Sequence, residues 1–372
     1  MAKVFNWQIK RDQHYKYEAT PPKRQVGWVF DTNKCIACQT CTIACKTTWT
    51  SGKGQEYMFW NNVETKPFGF YPLAWDVKIL ELLGPQRWEG GVYAGKTIFE
   101  SGNENQDIAG YVPEPEDWGH PNLGEDEVSQ LIGEKASFGL PHKSWMFYLQ
   151  RICNHCAYPA CLAACPRKAI YKRQEDGVVL IDQDRCRGYQ KCVEACPYKK
   201  PMFNPNTGRS EKCISCYPLI EKGIATRCVS TCIGKIRMVG YVNPPEKADS
   251  SNPIDYLVHV AKVALPFYPQ LGTLPNVYYI PPIHVESKYL KQMFGPNVDQ
   301  AIATYKKREE TLVGLLSLFG STEHLVERFE VKDGTAAAFL NGEEVVRVPV
   351  KEPIIFRKYR DEQHDVYRHS VT

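Results

Sequence analysis

A chain of 372 residues, 43% of them hydrophobic, can bury a sizeable core and has room for two or three domains. Its 46 basic and 42 acidic residues nearly balance, which argues against a strongly basic nucleic-acid binder, and its ordinary apolar content argues against general disorder. There is no run of 18 or more apolar residues, so no direct membrane span is expected.

Met1 to Lys10 shows neither an apolar export signal nor a twin arginine, which leaves two expectations. The chain is cytoplasmic, or it is exported folded on a partner that carries the signal. Val26 to Phe30 reads as a strand leading into a first cysteine run. Residues 51–145 hold no cysteine and read as a long insertion of loops and short strands, with Trp75 to Leu83 as its best strand and aromatic stretches (Tyr57 to Trp60, Phe68 to Trp75) that would cover a subunit interface. Residues 146–240 carry three further cysteine runs. Residues 241–297 are proline-rich and should run extended over the surface, with a strand at Val277 to Ile280. Val298 to Phe319 has helical periodicity and fits one helix packed on the chain's own core. Glu330 to Val350 alternates around Asn341-Gly342, a hairpin signal. The last twenty residues, with His364 and His369, read as a solvated tail or an arm on a partner.

All fifteen cysteines fall in four runs. Cys35, Cys38, Cys41 and Cys45 are spaced C-x2-C-x2-C-x3-C, the bacterial ferredoxin run. Three cysteines on a tight loop reach three iron corners of one cubane, and the fourth starts a helix that points to the neighbouring cluster. Cys153, Cys156, Cys161 and Cys165 repeat this with two extra residues. Cys186, Cys192 and Cys196 form the same run with Tyr189 where the second cysteine should stand. One missing thiolate removes one iron corner, so the expected product there is [3Fe–4S]. Cys213, Cys216, Cys228 and Cys232 complete the set with a long internal loop.

Pairing follows from proximity. The second and third runs are adjacent, so they form one module and leave the first and fourth to form another. With the crossover of the fourth ligand, Cys35, Cys38, Cys41 and Cys232 hold one cubane. Cys45, Cys213, Cys216 and Cys228 hold the second. Cys153, Cys156, Cys161 and Cys196 hold the third. Cys165, Cys186 and Cys192 hold the three-iron cluster. This uses every thiol. Disulfides are disfavoured by the odd count and tight spacing, and single zinc ions by runs that overfill a tetrahedral site.

The expected fold is α+β: two ferredoxin-like dicluster modules with loop-rich insertions and a helical or extended C-terminal extension. The expected division is 1–50 with 198–240 as the first module, 51–145 as the insertion, 146–197 as the second module and 241–372 as the extension. No nucleotide-binding glycine motif and no spare thiol nucleophile is visible, so no catalytic residue is expected. His155 is expected to pack or hydrogen-bond near a cluster sulfur; His142, His259 and His284 read as structural. The chain reads as a wire for electrons. A free-standing polyferredoxin carrier is the alternative, but the long insertion and extension suit a permanent complex better.

These runs, with Asn6-Trp7-Gln8, Trp60 to Pro67, Cys153-Asn-His-Cys156, Cys186-Arg-Gly-Tyr189 and Tyr279-Ile-Pro-Pro282, resemble the iron–sulfur beta subunits of the dimethyl sulfoxide reductase superfamily of molybdenum enzymes. The branch resembled holds nitrate, selenate, chlorate and perchlorate reductases, nitrite oxidoreductase, ethylbenzene dehydrogenase and dimethyl sulfide dehydrogenase. Nitrate reductase members carry Trp at the position of Tyr189 and are considerably longer, so the resemblance points to the shorter, exported members, with a nitrite oxidoreductase- or ethylbenzene dehydrogenase-type complex expected. It implies a molybdenum catalytic alpha subunit beside the first cubane and a haem b gamma subunit beyond the three-iron cluster. It also implies a periplasmic or equivalent exported location reached with a signal-bearing partner, the cytoplasmic membrane face being the second choice.

Overall fold

The structure is a computed structural model that describes residues 2–18, 20–67, 71–104, 106–119, 145–351 and 357–370. His142 and the Phe68 end of one aromatic stretch lie outside these residues.

The centre is a four-stranded sheet in the order Arg237–Tyr241, Val26–Asp31, Val277–Ile280, Leu265–Pro266. Val26–Asp31 pairs antiparallel with Arg237–Tyr241 and parallel with Val277–Ile280. Every residue of Val26–Asp31 is buried, as expected of a strand covered on both faces. Side chains alternate across such a strand. Trp28, Phe30, Val277 and Tyr279 join one core, which also contains Cys41, Cys156, Cys196 and Cys228. Val29, Met238, Tyr278 and Ile280 join a second core built with the C-terminal elements. One sheet thus separates a cysteine side from a scaffold side.

On the cysteine side, helices pack in two pairs. Thr40–Trp49, carrying Cys41 and Cys45, packs on Arg227–Ser230, carrying Cys228. Ala160–Ala164, carrying Cys161, packs on Lys191–Ala195, carrying Cys192. The insertion is tied down at both ends by the antiparallel pair Asn62–Lys66 and Phe147–Arg151.

Several expectations need correction. Trp75–Leu83 is an α-helix, not a strand. Trp75, Ile79, Leu80 and Leu83 are buried, a spacing close to i, i+4, i+5, i+8 that a helix face satisfies. The aromatics Trp60, Tyr71 and Trp75 are buried in the chain's own cores rather than covering an interface. The proline-rich segment does not run over the surface: Ile254, Leu257, Val263, Phe267, Leu271 and Val277 are buried. Its prolines open short helical turns at Pro245, Pro253 and Pro269, where a missing N–H costs nothing. The single helix expected over Val298 to Phe319 is two, Val298–Lys307 and Glu310–Ser317, broken by Arg308 in the left-handed region at φ 55°. Val298 and Ala301 serve the first core, Leu312 and Leu315 the second, so the break lets one apolar stripe feed both sides of the sheet. The last residues form a hairpin, Arg357–Asp361 with Val366–Ser370, rather than a bare tail.

The strands at Val26 and Val277 and the Asn341-Gly342 hairpin stand as expected, with both turn residues at positive φ. A second such turn, Asp333-Gly334, adds the strand Arg328–Lys332 to that sheet. Among the described residues no helix is long and apolar enough to cross a membrane.

Candidate functional site

The fifteen cysteines surround four sites, and Cys41, Cys156, Cys196 and Cys228 among them share the core on one face of the central sheet. Cys35, Cys38, Cys41 and Cys232 line a cavity of about 310 Å³ with Ile36, Gln39, Val63, Ile236 and Arg237. Cys45 is held above its usual pKa by burial and then by Cys213, Cys228 and Cys216, which places these four thiols together at a second site. Cys153, Cys156, Cys161 and Cys196 line a cavity of about 370 Å³ with His155, Lys200 and Lys212. Cys165, Cys186 and Cys192 line a third cavity, of about 330 Å³, with Tyr189 and Ser210.

The backbone reason is the same in each run. Ala37, Gln39, His155, Gln190, Ser215 and Cys216 all adopt positive φ, which curls each loop tightly around its site. The fourth cysteine then closes on a shared turn: Lys168, Lys199 and Lys235 each take φ near 49° and donate an N–H to the carbonyl of Cys165, Cys196 and Cys232, at 3.2, 3.2 and 3.1 Å. At Gly188 (φ +66°) no side chain fits, because a Cβ would meet the Gly208 carbonyl oxygen at 2.2 Å. That contact seats the Tyr189 loop against the hairpin of Met202–Asn204 and Arg209–Glu211.

Donors converge on the sulfurs. Backbone N–H groups of Ala169, Ser210 and Ser215 donate to Cys165, Cys186 and Cys213 at 3.3, 3.4 and 3.3 Å. The Trp49 Nε1–H donates to Cys216 at 3.2 Å, and Arg237 Nη2 to Cys41 at 3.0 Å. Cys38 is the exposed member of its set. The little burial it has would raise its pKa; hydrogen bonds from the Thr40 hydroxyl and backbone outweigh this and hold it below the usual value. Burial raises Cys192 and Cys216 to about 11.

The sites adjoin one another in order. Cys228 of the second feels Cys41 of the first, Cys213 of the second feels Cys153 of the third, and Cys161 of the third feels Cys192 of the fourth. Tyr189 lines the cavity of the fourth site but is 62% exposed, so its ring sits at the mouth and does not fill the interior. His155 is fully buried and stacks near Trp28; its Nδ1 accepts from the Val179 N–H at 3.1 Å, which puts the proton on Nε2, a buried atom without a protein partner. His259 and His284 bind the Asn243 and Met146 carbonyls, as structural histidines do.

This donor set fits iron–sulfur clusters. The sulfurs surround cavities and do not converge on a point, and among the described residues no group of three or more His, Cys, Asp or Glu is placed to hold a single metal ion. Buried donors that face no protein acceptor, among them His155 Nε2, Ser210 Oγ, Ser215 Oγ and Arg237 Nε, suit an added acceptor.

The sequence reading missed the cations. Lys199, Lys200, Lys212 and Arg237 are buried behind the cysteines. Lys199 donates to the carbonyls of Tyr111, Val193 and Glu194, Lys200 to Asn62 Oδ1, and Lys212 to the Val179 carbonyl. Burial pushes Lys199 and Lys200 down to about 7. The signal was present: three of the four stand within four residues of a cysteine, in Cys-Pro-Tyr-Lys-Lys and Lys-Cys.

A 4Fe–4S dicluster domain matches residues 144–242. The chain is similar to the chlorate reductase subunit beta of Ideonella dechloratans, 45% identical over 314 residues, covering 76% of this chain and 90% of that one. It is 46% identical over 312 residues to the selenate reductase subunit beta of Thauera selenatis, again 76% and 90%. With the respiratory nitrate reductase 1 beta chain of Escherichia coli (strain K12) the identity is 34% over 361 residues, 70% of each chain.

Proposed function

The chain belongs to the family of beta subunits of dimethyl sulfoxide reductase-type molybdoenzymes, and on that premise we propose that it relays electrons between a molybdenum catalytic subunit and a haem b subunit. Its cargo is three [4Fe–4S] clusters, held by Cys35, Cys38, Cys41 and Cys232, by Cys45, Cys213, Cys216 and Cys228, and by Cys153, Cys156, Cys161 and Cys196. A [3Fe–4S] cluster is held by Cys165, Cys186 and Cys192, with Tyr189 at the ligand-free corner. Each cluster, when bound, takes up and gives up one electron at a time.

The observation that carries this reading is the adjacency of the four cysteine sets, first to second to third to fourth. The chain's own part is to hold these sets close, donate hydrogen bonds to the sulfurs and keep water from the inner ones. Its exposed thiol, Cys38, stands in a run flanked by the exposed apolar side chains Ile36 and Ile43, with Ile233 beside Cys232. Such a surface suits a permanent contact with the catalytic subunit. Tyr189, where the resemblance places tryptophan in nitrate reductases, supports a complex of nitrite oxidoreductase or ethylbenzene dehydrogenase type in an exported compartment.

Anaerobic purification from the native source tests this. The expected result is a complex with a larger molybdenum subunit and about 15 iron per copy of this chain, from ligand counts of 4+4+4+3. Stoichiometric zinc with little iron overturns the cargo; a stable, fully loaded monomer overturns the complex.

A further inference from the structure

Arg237 is completely buried, and among the described residues no carboxylate forms an ion pair or hydrogen bond with it. It donates from Nη2 to Cys41 Sγ at 3.0 Å and from Nη1 to Asn61 Oδ1 at 3.3 Å, and it lies over the Phe30 ring at 4.5 Å. It is also placed to hydrogen-bond the Cys228 thiol. A guanidinium stays charged at any working pH. A buried charge without a counter-charge costs several kcal/mol, so a fold that keeps Arg237 here must supply negative charge nearby. Cys35, Cys41 and Cys232 line one cavity with it, and Cys228 is within its hydrogen-bonding reach. Three of those cysteines belong to the first site and one to the second.

Lys200 stands in the same relation one step on. It is 1% exposed, donates to Asn62 Oδ1 at 2.6 Å, lines the cavity of the third site with Cys153 and Cys196, and faces the charge of Cys213 of the second. Glu64 favours its charge, but Arg151 opposes it.

We propose that Arg237 and Lys200 are shared counter-ions, Arg237 for the first and second clusters and Lys200 for the second and third. This rests on the cluster assignment proposed above. A cation placed between two clusters stabilises the added electron on either. When one electron arrives from the partner at the first cluster and passes to the second, the charge it leaves and the charge it makes face the same guanidinium. No proton need move, because Arg237 keeps its own. The step from first to second is then cheaper than two separately compensated sites would make it.

The test is an electron paramagnetic resonance redox titration of the intact complex carrying parent chain, Arg237→Gln, Arg237→Lys or Lys200→Met, with iron counted in each. Arg237→Gln is expected to lower two of the four midpoint potentials, and Lys200→Met to lower two, the variants sharing one shifted signal. The three-iron signal stays put in both. Arg237→Lys, which keeps the charge, holds its potentials near the parent's. Unshifted potentials in a fully loaded Arg237→Gln, or an equal fall at all four sites, overturn the proposal. If Arg237→Gln fails to load iron, Arg237→Lys decides: full loading with parent-like potentials supports the charge, and failure to load shows that guanidinium geometry is what the sites need and overturns it. A parent complex without iron overturns the cluster assignment itself, a separate outcome.

Discussion

Trp49 and Cys216 lie 167 residues apart in sequence, and the indole Nε1–H of the first donates to the sulfur of the second at 3.2 Å. Trp49 ends the helix that begins at Thr40 and carries Cys41 and Cys45. One helix therefore supplies a thiol to the first site, a thiol to the second, and a hydrogen bond to a thiol that only the fourth cysteine run could bring there.

Trp49→Phe keeps the ring and removes the donor. A hydrogen bond to a thiolate favours the more negative, reduced state of its cluster, so its loss should lower the potential of the second site. Iron content should stay at the parent level. A redox titration with unchanged midpoints would show that the indole serves packing only.

Tyr189→Cys restores the full ferredoxin spacing in the third run. A fourth iron should then enter, the oxidised three-iron signal should disappear, and that cluster's potential should fall. The exposure of Tyr189, 62%, means the change removes little packing. Parent protein that shows only cubane signals in every redox state would defeat the assignment of Cys165, Cys186 and Cys192.

Gly188→Ala should disturb the same site for a steric reason. The new methyl would sit 2.2 Å from the Gly208 carbonyl, in a backbone conformation that already disfavours a side chain. The cost should be about 1–3 kcal/mol, as for overpacking in a core. Spectroscopy should show loss of the three-iron signal before loss of the cubane signals. Equal loss of all four would point to general unfolding instead.

Asp76 accepts from Lys66 Nζ at 2.5 Å and from the Tyr268 hydroxyl at 2.8 Å, inside the core that braces the insertion. Burial would raise the Asp76 pKa, but Lys66 outweighs it and the result lies below the usual 3.8. Burial would lower Lys66, but Asp76 and Glu64 outweigh it and raise it above 10.5. A depressed carboxylate stabilises above its unfolded pKa and loses this as pH falls through the folded value. A raised lysine stabilises below its unfolded pKa and loses this as pH rises through the folded value. Asp76→Asn should thus cost about 3–5 kcal/mol, as breaking a buried pair does. Its deficit in thermal stability should be flat from about pH 5 to 9, and shrink both below the carboxylate range and above the ordinary lysine range. A deficit that changes steadily across that window would assign the stabilisation to other groups.

Much of the site was legible without a fold. Ligand spacing is a local property: a cysteine two residues from the next can curl around one centre whatever surrounds it. Even the Tyr189 substitution can be read from one dozen residues. Short strands bounded by turns, such as Val277–Ile280 and the Asn341-Gly342 hairpin, declare themselves for the same reason. The errors came where local pattern was ambiguous or where long-range packing decided. Trp75 to Leu83 alternates well enough for a strand, and only a core that takes Trp75, Ile79 and Leu83 on one side makes it a helix. Prolines that suggested surface lie in a segment threaded through the interior, because Val277–Ile280 must pair with Val26–Asp31.

What the amino-acid sequence determined by itself was the number and spacing of cysteines in each run and the one run where Tyr189 stands in place of a cysteine, since those depend on residue identity alone. What only the tertiary structure decided was which sites face each other and what charge lies between them. Arg237 and Lys200 are ordinary basic residues in the chain, and nothing in their neighbours says that each will face thiols of two different sites. That depends on how the sheet and cysteine helices close around them, because a buried charge takes its meaning from every group that the fold brings within a few ångströms.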